Sequence, residues 1–526
     1  MIEQPNHAPL LSRGLEWATA AALCVLGVVL SVQKVRMAWP VVIDDVFISF
    51  RYSHNLLHGV GLTWNPGEAT EGSTTLLWVL VMALPLRFGA EPFLTSKILS
   101  IVFCLSTWAV LASWVSSMVG GDERPPVRLT SRQALVGAAT VFALAAYPPT
   151  ALHAVSGMET TLHALLLACI VHTWRNAMNG FAARHVWAFS VACLLGVLNR
   201  PDAAIWCVPL ALSFLLRAVF VSRVSAVRYL LVAVLPVVLV LIIKRSDYGH
   251  WFPLPCYVKS AGAQWTGLPH VQTWFASHHL SSALWGAGLL YACLRRRLLL
   301  LVATALSLFF LYYAWPEHLM CFEERYLFPV LPVAMALSLV GWARLIADRF
   351  PARLLGIGVL LVVSLWEVDA VAFPARIQNL VTYGTTLRTA HGRLGAALAK
   401  VASPYTRTIA LGDVGALPYY SRWRVIDTMG LNDEHVAITK DQSPEYVFGR
   451  GVDAVVLISQ SPTAFVPTLG HETAIYQESV RRGFVPVLAP AFSGGSYSYY
   501  LLTLVDPTRV NPQALRDAWE TTAGPW

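Results

Sequence analysis

The chain has 526 residues, of which 56% are hydrophobic and 13% are charged. Its mean hydropathy of +0.56 is far above that of an ordinary soluble domain. The formal net charge is +8, from 38 Lys and Arg against 30 Asp and Glu, and the basic residues stand in short loops between apolar runs rather than in one soluble patch. This composition excludes a nucleic-acid partner and indicates an integral membrane protein embedded in a lipid bilayer.

Apolar runs recur along the first two thirds of the chain. A helix that spans lipid needs roughly 20 residues including its flanks, so the pattern predicts a polytopic α-helical protein with about 11–12 membrane segments. The first run is followed by Gln33, Lys34 and Arg36 instead of a small-residue cleavage site, which predicts an uncleaved first membrane helix. The runs lie at 17–32, 73–86, 98–119, 133–152, 161–174, 186–198, 203–216, 229–243, 280–294, 298–314, 326–343 and 354–366.

From about residue 370 the composition returns to mixed polarity. Short strand-like runs at Thr408–Leu411, Ala454–Ser459 and Tyr499–Val505 are separated by Gly, Pro and Asp turn signals. The sequence therefore predicts two domains, a membrane domain over residues 1–370 and a small α/β soluble domain over residues 371–526.

Loop charge predicts the orientation, because cytoplasmic loops collect Lys and Arg. The loops between the basic ones, at 153–160, 199–202, 244–279 and 315–325, are then expected to face outward together with the C-terminal domain. This places the protein in the plasma (inner) membrane of a bacterium, with its unusual polar loops on the periplasmic or exterior side. The basic loops contain Arg124, Arg128, Arg132, Arg175, Arg184, His185, Arg217, Arg223, Arg228, Arg295, Arg296, Arg297, Arg344, Arg349 and Arg353.

The run 73–86 conflicts with this orientation. With the N-terminus inside, full crossings at both 73–86 and 98–119 would put the Arg124 loop on the outer side. The first of these runs would span only about 21 Å as a helix, short of the roughly 30 Å hydrocarbon core. We therefore expect a re-entrant or broken segment at 73–86.

Cys256 and Cys321 fall in loops on the same predicted face. The pattern leaves open whether they form a disulfide or remain two thiols, because sequence alone does not fix pairing. The histidines show no metal-ligand spacing, so no zinc site is predicted.

The most informative loop follows the first membrane helix. It begins with Asp44 and Asp45 and continues to Gly59 as an amphipathic segment. Adjacent carboxylates at a membrane surface are costly, since like charge and desolvation both raise the pKa of each carboxyl group. Such a pair suits a general base for an acceptor hydroxyl, or a divalent cation held against a phosphate. The structural alternative is that both carboxylates cap a helix N-terminus.

This loop reads DDVFISFRYSHNLLHGVGLTWNPGEATEGSTTLLW, and it resembles the first outer loop of lipid-linked GT-C glycosyltransferases. Within that superfamily it is most similar to the arabinofuranosyltransferases that add terminal arabinofuranose to mycobacterial arabinan and to their pilin-modifying relatives. The resemblance covers most of the chain. It continues through Gly157–Thr161, Asn199–Asp202, Tyr248–Lys259, Glu324–Tyr326 and Gly412–Ala416.

The resemblance implies a sugar donor carried on polyprenyl phosphate, with decaprenylphosphoryl-arabinofuranose as the expected donor. It also implies attack by an acceptor hydroxyl at the anomeric carbon, with Asp44 as the catalytic base and Asp45 as the alternative. A glycan or protein is the expected acceptor. Whether the two carboxylates hold a divalent cation stays open.

A leaving phosphate needs fixed positive charge. We expect Lys259 and Arg325, beside Tyr326, to bind the donor phosphate, with Arg51 and Arg200 as further candidates. The alternative for each cation is snorkelling at a helix end. Contacts to the sugar or acceptor are expected from Tyr52, His54, Glu159, Asp202, Tyr257 and Asp413, although pairing with Arg200 is the structural alternative for Glu159 and Asp202.

Two other classes of protein remain as alternatives. A transporter or flippase for lipid-linked sugars would place charges near the middle of its helices and show inverted repeats, and neither is evident here. A membrane scaffold with an outer binding domain would leave Asp44 and Asp45 unexplained.

Overall fold

Helices form most of the first 350 residues in the computed structural model, which describes residues 10–119, 130–180, 182–221, 223–260, 265–295, 298–316, 322–347 and 373–526. Each predicted apolar run within these ranges coincides with a helix, and the run 354–366 lies outside them. The helices are α1 (Leu10–Ala38), α2 (Val46–Leu57), α3 (Leu76–Leu86), α4 (Pro92–Val119), α5 (Ser131–Ala146), α6 (Pro148–His153), α7 (Thr160–Gly180), α8 (Ala183–Asn199), α9 (Ala204–Val221), α10 (Arg223–Tyr248), α11 (Leu254–Ser260), α12 (Leu268–Ser277), α13 (His279–Arg295), α14 (Leu299–Ala314) and α15 (Leu331–Ala347).

Local sequence explains where these helices begin and end. The predicted run 133–152 is divided, because α5 begins with a capping box formed by Thr130 and Gln133 and ends before Pro148. The run 73–86 becomes α3, whose eleven residues reach only about 16 Å. This length agrees with the expected short segment.

Within the described residues, three helical segments are long and apolar enough to cross a membrane: Arg13–Ala38, Pro92–Val119 and Phe322–Leu345. Shorter apolar helices accompany them at Leu76–Leu86, Ser131–Ala146, Ala183–Asn199, Pro201–Phe214 and Leu299–Ala314. The predicted total of 11–12 membrane segments remains a prediction.

The C-terminal part is an α/β unit built on one mixed sheet. The strand order is β2-β1-β3-β6-β4, and β5 pairs with β6. β1 is parallel to β2 and β3, whereas β6 is antiparallel to its neighbours. The predicted strands at Thr408–Leu411 and Ala454–Ser459 are β1 and β3. The predicted domain boundary at residue 370 lies outside the described ranges.

The strands of this unit are β1 (Thr408–Leu411), β2 (Arg424–Asp427), β3 (Ala454–Ser459), β4 (Val485–Leu488), β5 (Ala491–Ser493) and β6 (Ser498–Val505). The helices are α16 (Phe373–Leu387), α17 (Arg393–Val401), α18 (Ala416–Ser421), α19 (Glu434–Thr439), α20 (Pro444–Gly449), α21 (Glu472–Arg481) and α22 (Pro512–Glu520), with one π-helical turn at Arg388–Gly392 between α16 and α17.

The first loop shares its hydrophobic core with the C-terminal unit. Phe47 and Phe50 of α2 pack in one buried cluster with Leu417 of α18 and Trp423. The ring of Phe47 also lies 5.1 Å from that of Trp526, at the end of the chain. A separate core, formed largely by α4, α7, α8, α9, α14 and α15, fills the helical bundle. The first loop is therefore packed against the C-terminal unit.

Arg51 holds the first loop to the C-terminal unit. Its guanidinium is buried and donates to the backbone carbonyls of Trp64, Pro418 and Trp423, at 3.1, 2.7 and 2.8 Å, and to Oδ1 of Asn65 at 3.3 Å. It also lies 4.4 Å from the centre of the Trp64 ring. These contacts give Arg51 a structural role, and its expected role in phosphate binding stays a prediction.

Asn65 completes the edge of the sheet. Its side-chain amide donates to the carbonyl of Val425 at 2.8 Å and accepts from the N–H of Val425 at 3.0 Å. Because β2 is the outer strand at this edge, the amide occupies the position that a neighbouring strand would take. The first loop thus covers an edge that would otherwise leave backbone groups unpaired.

We predict that Arg51→Lys destabilises the protein strongly. A lysine ammonium cannot reach the four acceptors of the guanidinium fork, and carbonyls left buried without donors cost roughly 3 kcal/mol in total. Thermal unfolding in detergent should show a midpoint about 3 °C lower. The matched control is Arg516→Lys, on the exposed face of α22, which should melt like the wild type. Equal melting of the two variants would contradict the role given to Arg51.

Candidate active site

Several loops predicted to share one membrane face meet around a cavity of about 90 Å³. Arg200 and Asp202 come from the turn between α8 and α9, and Lys259 comes from α11. The cavity therefore brings together much of the predicted phosphate site and part of the predicted sugar site. Its predicted members are Glu159, Arg200, Asp202, Lys259, Arg325 and Tyr326.

Ion pairs order the two arginines of this cavity. Arg200 Nη2 lies 2.9 Å from Asp202 Oδ2, and its Nη1 lies 3.8 Å from Glu159 Oε1. Arg325 Nη2 lies 3.9 Å from the same Glu159 oxygen. Tyr313 adds a hydroxyl that bonds both Arg200, at 2.6 Å, and Asp202. Glu159 and Asp202 thus pair with Arg200, which is the structural alternative foreseen for them.

Two donor atoms of these arginines remain buried without a hydrogen bond among the described residues. Arg200 Nη1 and Arg325 Nε are buried and have no hydrogen-bond partner among the described residues. An unpaired buried donor costs about 1–3 kcal/mol, and more when it is charged, so such groups call for a ligand that the protein does not supply. Both donors belong to residues that line the cavity, and an anionic oxygen would satisfy them.

Tyr326 stands at the centre of the cationic groups. Lys259 Nζ donates to its hydroxyl at 2.9 Å and lies 5.2 Å from the centre of its ring. The guanidinium carbons of Arg325 and Arg200 lie 5.5 and 5.8 Å from the same centre. One aromatic ring therefore holds cations from three segments of the chain around a common point.

The two first-loop carboxylates have different partners. Asp45 Oδ2 accepts from Arg325 Nη1 at 2.7 Å and so joins the first loop to the cavity. Asp44 Oδ1 accepts from the backbone N–H of Ala416 at 2.7 Å, where it caps the start of α18. The alternative foreseen from the sequence, a carboxylate capping a helix, is present at Asp44, but the capped helix belongs to the C-terminal unit.

Burial raises the pKa of Asp44 to about 6, and the charges of Asp413 and Asp45 act in the same direction. The charge of His391 and the hydrogen bond from Ala416 oppose this shift. Asp44 as a whole residue is half-buried. A carboxylate with this pKa is largely ionised at neutral pH and is still basic enough to accept a proton.

Gly415 fits against Asp44. A Cβ atom at this position would overlap the carboxylate carbon and oxygen of Asp44, so the close approach of the turn requires glycine. The same turn contains Asp413, whose Oδ2 accepts from Tyr499 at 2.6 Å and contacts His391 Nε2 at 2.9 Å. Burial alone would raise the pKa of Asp413, but the hydrogen bonds from His391 and Tyr499 hold it below the ordinary value.

The remaining predicted residues lie outside the cavity. Tyr52 is buried, and its hydroxyl accepts from Gly72 N–H at 2.8 Å and donates to the Thr70 carbonyl at 3.1 Å, which fixes the first loop. His54 contacts Arg422, and burial together with the charge of Arg422 lowers its pKa to about 4. Both side chains thus have contacts within the protein, and the sugar contacts expected of them stay predictions.

Tyr257 shares α11 with Lys259 and is not among the residues that line the cavity. Its ring packs against His250 at 5.6 Å. Cys256 lines the cavity, whereas Cys321 lies outside the described residues, so their pairing remains a prediction.

Several residues of the site were missed from the sequence. His163 lies one turn after Glu159 on α7, and its Nε2 is 3.3 Å from Asp202 Oδ1. No signal in the sequence pointed to this contact, because Asp202 lies in a different segment of the chain. His391 and Tyr499 gave none, because they meet Asp413 only through the fold of the C-terminal unit.

Within the residues that the structure describes, no group of three or more His, Cys, Asp or Glu side chains is arranged to hold a metal ion. One oxygen of Asp45 is already paired with Arg325. The divalent cation considered for Asp44 and Asp45 therefore remains a prediction.

Comparison with known proteins gives three findings. A family model described as a domain of unknown function, DUF8728, matches residues 378–502. The terminal beta-(1->2)-arabinofuranosyltransferase of Mycobacterium tuberculosis is 28% identical over 229 residues. That match covers 42% of this chain and spans 36% of the length of the relative.

Solved structures of ArnT from Cupriavidus metallidurans are similar over almost the whole chain. The structure bound to undecaprenyl phosphate matches with a TM-score of 0.57 and 14% identity, over 92% of this chain and 97% of that one. The apo structure matches with a TM-score of 0.56 and 13% identity. This chain therefore has the GT-C fold of ArnT, with a C-terminal sheet unit. The resemblance predicted from the sequence is confirmed by the curated relative and by this fold.

We predict that Gly415→Ala displaces Asp44 from the N-terminus of α18. The added methyl group overlaps the carboxylate, and forced overpacking of this kind costs about 1–3 kcal/mol. Thermal unfolding should show a clear decrease in midpoint. Gly449→Ala, where a Cβ meets nothing within 4 Å, is the matched control and should melt like the wild type. An unchanged midpoint for Gly415→Ala would show that the turn can move away from Asp44.

Proposed function

We propose that this protein is a membrane glycosyltransferase that moves a sugar from a polyprenyl-phosphate donor to an acceptor hydroxyl. The observation that carries the proposal is the cavity in which two buried donor atoms, Arg200 Nη1 and Arg325 Nε, have no hydrogen-bond partner among the described residues, next to a carboxylate of the first loop. The phosphate of the donor is assigned to Arg200, Lys259 and Arg325. The undecaprenyl phosphate bound to ArnT, a protein of the same fold, supports a lipid phosphate as the ligand.

The phosphate assignment follows from charge and geometry. A phosphate oxygen near Tyr326 would accept from Arg200 Nη1 and Arg325 Nε, and the ammonium of Lys259 would neutralise a second oxygen. Charge-assisted hydrogen bonds in a site shielded from water stabilise the charge that develops on a leaving phosphate. Glu159 lies at 3.8 and 3.9 Å from the two guanidinium groups, which keeps them ordered without filling their hydrogen bonds.

The reaction is one displacement in which Asp44 is the general base. The acceptor oxygen attacks the anomeric carbon while the carboxylate of Asp44 removes the hydroxyl proton. The bond from the anomeric carbon to the phosphate oxygen breaks, and its electron pair leaves with the polyprenyl phosphate. Asp45 positions Arg325 through its ion pair, because its Oδ2 lies 2.7 Å from Nη1.

The sugar, the acceptor and the membrane face of the site are each supported by a different observation. D-arabinofuranose as the sugar, from decaprenylphosphoryl-arabinofuranose, is favoured by the arabinofuranosyltransferase relative. The acceptor is a glycan or a protein, and Asp413 is close enough to influence Asp44 when the acceptor is bound. The placement of the site on the outer face of a bacterial inner membrane is supported by the Lys and Arg loops on the opposite side.

We predict that Asp44→Asn abolishes most sugar transfer. Purified protein in detergent would be incubated with a panel of polyprenyl-phosphate sugars, including decaprenylphosphoryl-arabinofuranose, and with glycan and peptide acceptors. Loss of the base should lower turnover by about 10²–10⁴-fold. Wild-type turnover should fall as the pH drops through about 6, because protonated Asp44 cannot accept the proton.

The control for this experiment is Asp517→Asn on the exposed face of α22, which should keep wild-type turnover. Full activity of Asp44→Asn would move the base to Asp45 or another group. A wild type that transfers no sugar, but moves lipid-linked sugars between the leaflets of a vesicle, would instead establish a flippase.

We predict that Lys259→Gln weakens binding of undecaprenyl phosphate about 10–100-fold, since it removes one charge-assisted hydrogen bond to phosphate. Fluorescence titration in detergent measures this affinity, and raising the salt concentration should weaken wild-type binding. Lys400→Gln, at an exposed lysine that donates to the Thr521 carbonyl, is the matched control. Equal affinities for both variants would remove Lys259 from the phosphate site.

A further inference from the structure

Arg325 reaches the cavity from a turn with an unusual backbone. Glu323 and Glu324, the two residues before it, both have positive φ angles, 43° and 57°. Residues other than glycine rarely adopt this left-handed conformation, because their Cβ atom comes too close to a carbonyl oxygen. Two consecutive glutamates therefore hold the turn at a cost in free energy. Such a conformation persists only where the surrounding structure fixes it, and it is most common at functional sites.

Two groups of the helical bundle bind this turn. The Tyr147 hydroxyl, between α5 and α6, donates to Glu324 Oε2 at 2.8 Å. His153, the last residue of α6, has its Nε2 at 2.8 Å from the carbonyl oxygen of Glu323. Since a carbonyl oxygen can only accept, this nitrogen is the donor. The bundle thus binds the side chain of one glutamate and the backbone of the other.

A third contact comes from the C-terminal unit. Arg376 of α16 donates from Nε to Glu323 Oε1 at 2.5 Å and from Nη2 to Glu323 Oε2 at 3.2 Å. Two parallel bonds of this kind fix the direction of a carboxylate as well as its distance. The side chain of Glu323 is 6% exposed, whereas that of Arg376 is 36% exposed. Loss of the cation would leave a buried negative charge, which costs more than the loss of an ion pair at an open surface.

The conformation of the turn determines where the side chain of Arg325 lies. The N–H of Arg325 donates to the Phe322 carbonyl at 3.1 Å, which closes the turn. Its guanidinium lies 2.7 Å from Asp45 and 3.9 Å from Glu159, and its Nε has no hydrogen-bond partner among the described residues. A return of Glu323 to negative φ would change the direction of the chain just before Arg325 and move the guanidinium away from both carboxylates.

We propose that Arg376 is a positioning residue of the phosphate site. It holds Glu323 in the left-handed conformation, and the turn thereby holds Arg325 against the donor phosphate. This role rests on the proposed function, which assigns the phosphate to Arg200, Lys259 and Arg325. Among the described residues Arg376 is not part of the cavity lining, so it acts through the backbone of Glu323. The C-terminal unit thus contributes to donor binding as well as to the position of the first loop.

Hydrogen exchange tests the turn without any ligand. The full-length protein in detergent would be compared by mass spectrometry with Arg376→Gln, in peptides that contain residues 322–328. The N–H groups of Arg325 and Leu327 bind carbonyls of this turn at 3.1 and 2.8 Å. We expect exchange at these two groups to be about tenfold faster in Arg376→Gln, because it requires opening of the turn. Exchange in the rest of the bundle should stay at the wild-type rate.

Arg388→Gln is the matched control for this experiment. Arg388 directly follows α16 and also donates to the protein, but to the carbonyl of Gly524 near the end of the chain, at 3.3 Å. Exchange at the turn should be as slow in this variant as in the wild type. Equal exchange in Arg376→Gln and Arg388→Gln would overturn the proposal.

Binding of undecaprenyl phosphate, measured by fluorescence titration, tests the site. Arg376→Gln should weaken binding about tenfold, and Arg388→Gln should bind like the wild type. Arg376→Lys keeps the charge but not the two parallel bonds, so its loss should be about threefold. Because Arg376 acts through Arg325, adding Arg376→Gln to Arg325→Gln should weaken binding by less than about twofold further. Added to Lys259→Gln, on α11, it should still weaken binding about tenfold.

Substitution of Glu323 separates positioning from an ion pair that only stabilises the protein. Glycine adopts positive φ readily and alanine does not, whereas both remove the buried carboxylate. The double variant Glu323→Gly with Arg376→Gln should therefore bind undecaprenyl phosphate about threefold more tightly than Glu323→Ala with Arg376→Gln. A pair that only stabilises the protein would give these two variants the same affinity.

Three results in the binding experiments would overturn the proposal. They are wild-type affinity in Arg376→Gln, full additivity of Arg376→Gln with Arg325→Gln, and equal affinity of the glycine and alanine variants at Glu323. If Arg376→Gln does not fold, the threefold loss expected of Arg376→Lys carries the same comparison. If the wild type does not bind undecaprenyl phosphate, the proposed function fails, and hydrogen exchange still decides whether Arg376 holds the turn.

Discussion

The position of the guanidinium of Arg51 is the constraint on which the rest of the site depends. Arg51 binds the carbonyl of Pro418 inside α18 and that of Trp423 just after it. The first N–H of the same helix binds Asp44. Asp44 and the turn that contains Asp413 are therefore set by one short helix that is held between two residues of the first loop. A shift of α18 would move Asp44, Gly415 and Asp413 together.

The paired carboxylates connect the C-terminal unit with the helical bundle. Asp44 is bound to the C-terminal unit, and Asp45 is bound to Arg325, next to the helical bundle. Each carboxylate would be costly at a membrane surface if it lacked a partner, and each has one. Their adjacency in the sequence thus has a structural reason as well as a chemical one, because neighbouring residues reach both halves of the site at once. Asp44 and Asp45 lie where the halves meet.

Hydrophobic periodicity predicted the helices of the described bundle and the main strands. Burial in the protein core or in lipid determines which positions are apolar along the whole length of an element, so the pattern is visible in the sequence. Loop charge predicted the cationic cavity around Arg325. The sequence did not predict which side chains bind buried backbone groups of distant segments. Arg51 gave the same signal as a phosphate ligand, because a guanidinium that binds carbonyls of a distant segment leaves no local pattern. His391 was missed for the same reason, since its partner, Asp413, is fixed only by the sheet.

The contact between Arg51 and Pro418 joins residues that are 367 positions apart. A ribosome that adds about 5–20 residues per second needs roughly 20–70 s to make the intervening chain. During that time Arg51 and Asn65 lie in a loop already inserted, while the strand that they bind has yet to be synthesised. The side chains of Arg51 and Asn65 therefore need temporary hydrogen-bond partners until the C-terminal unit has been translated. Biogenesis, rather than the finished fold, is where this long-range contact makes the protein vulnerable.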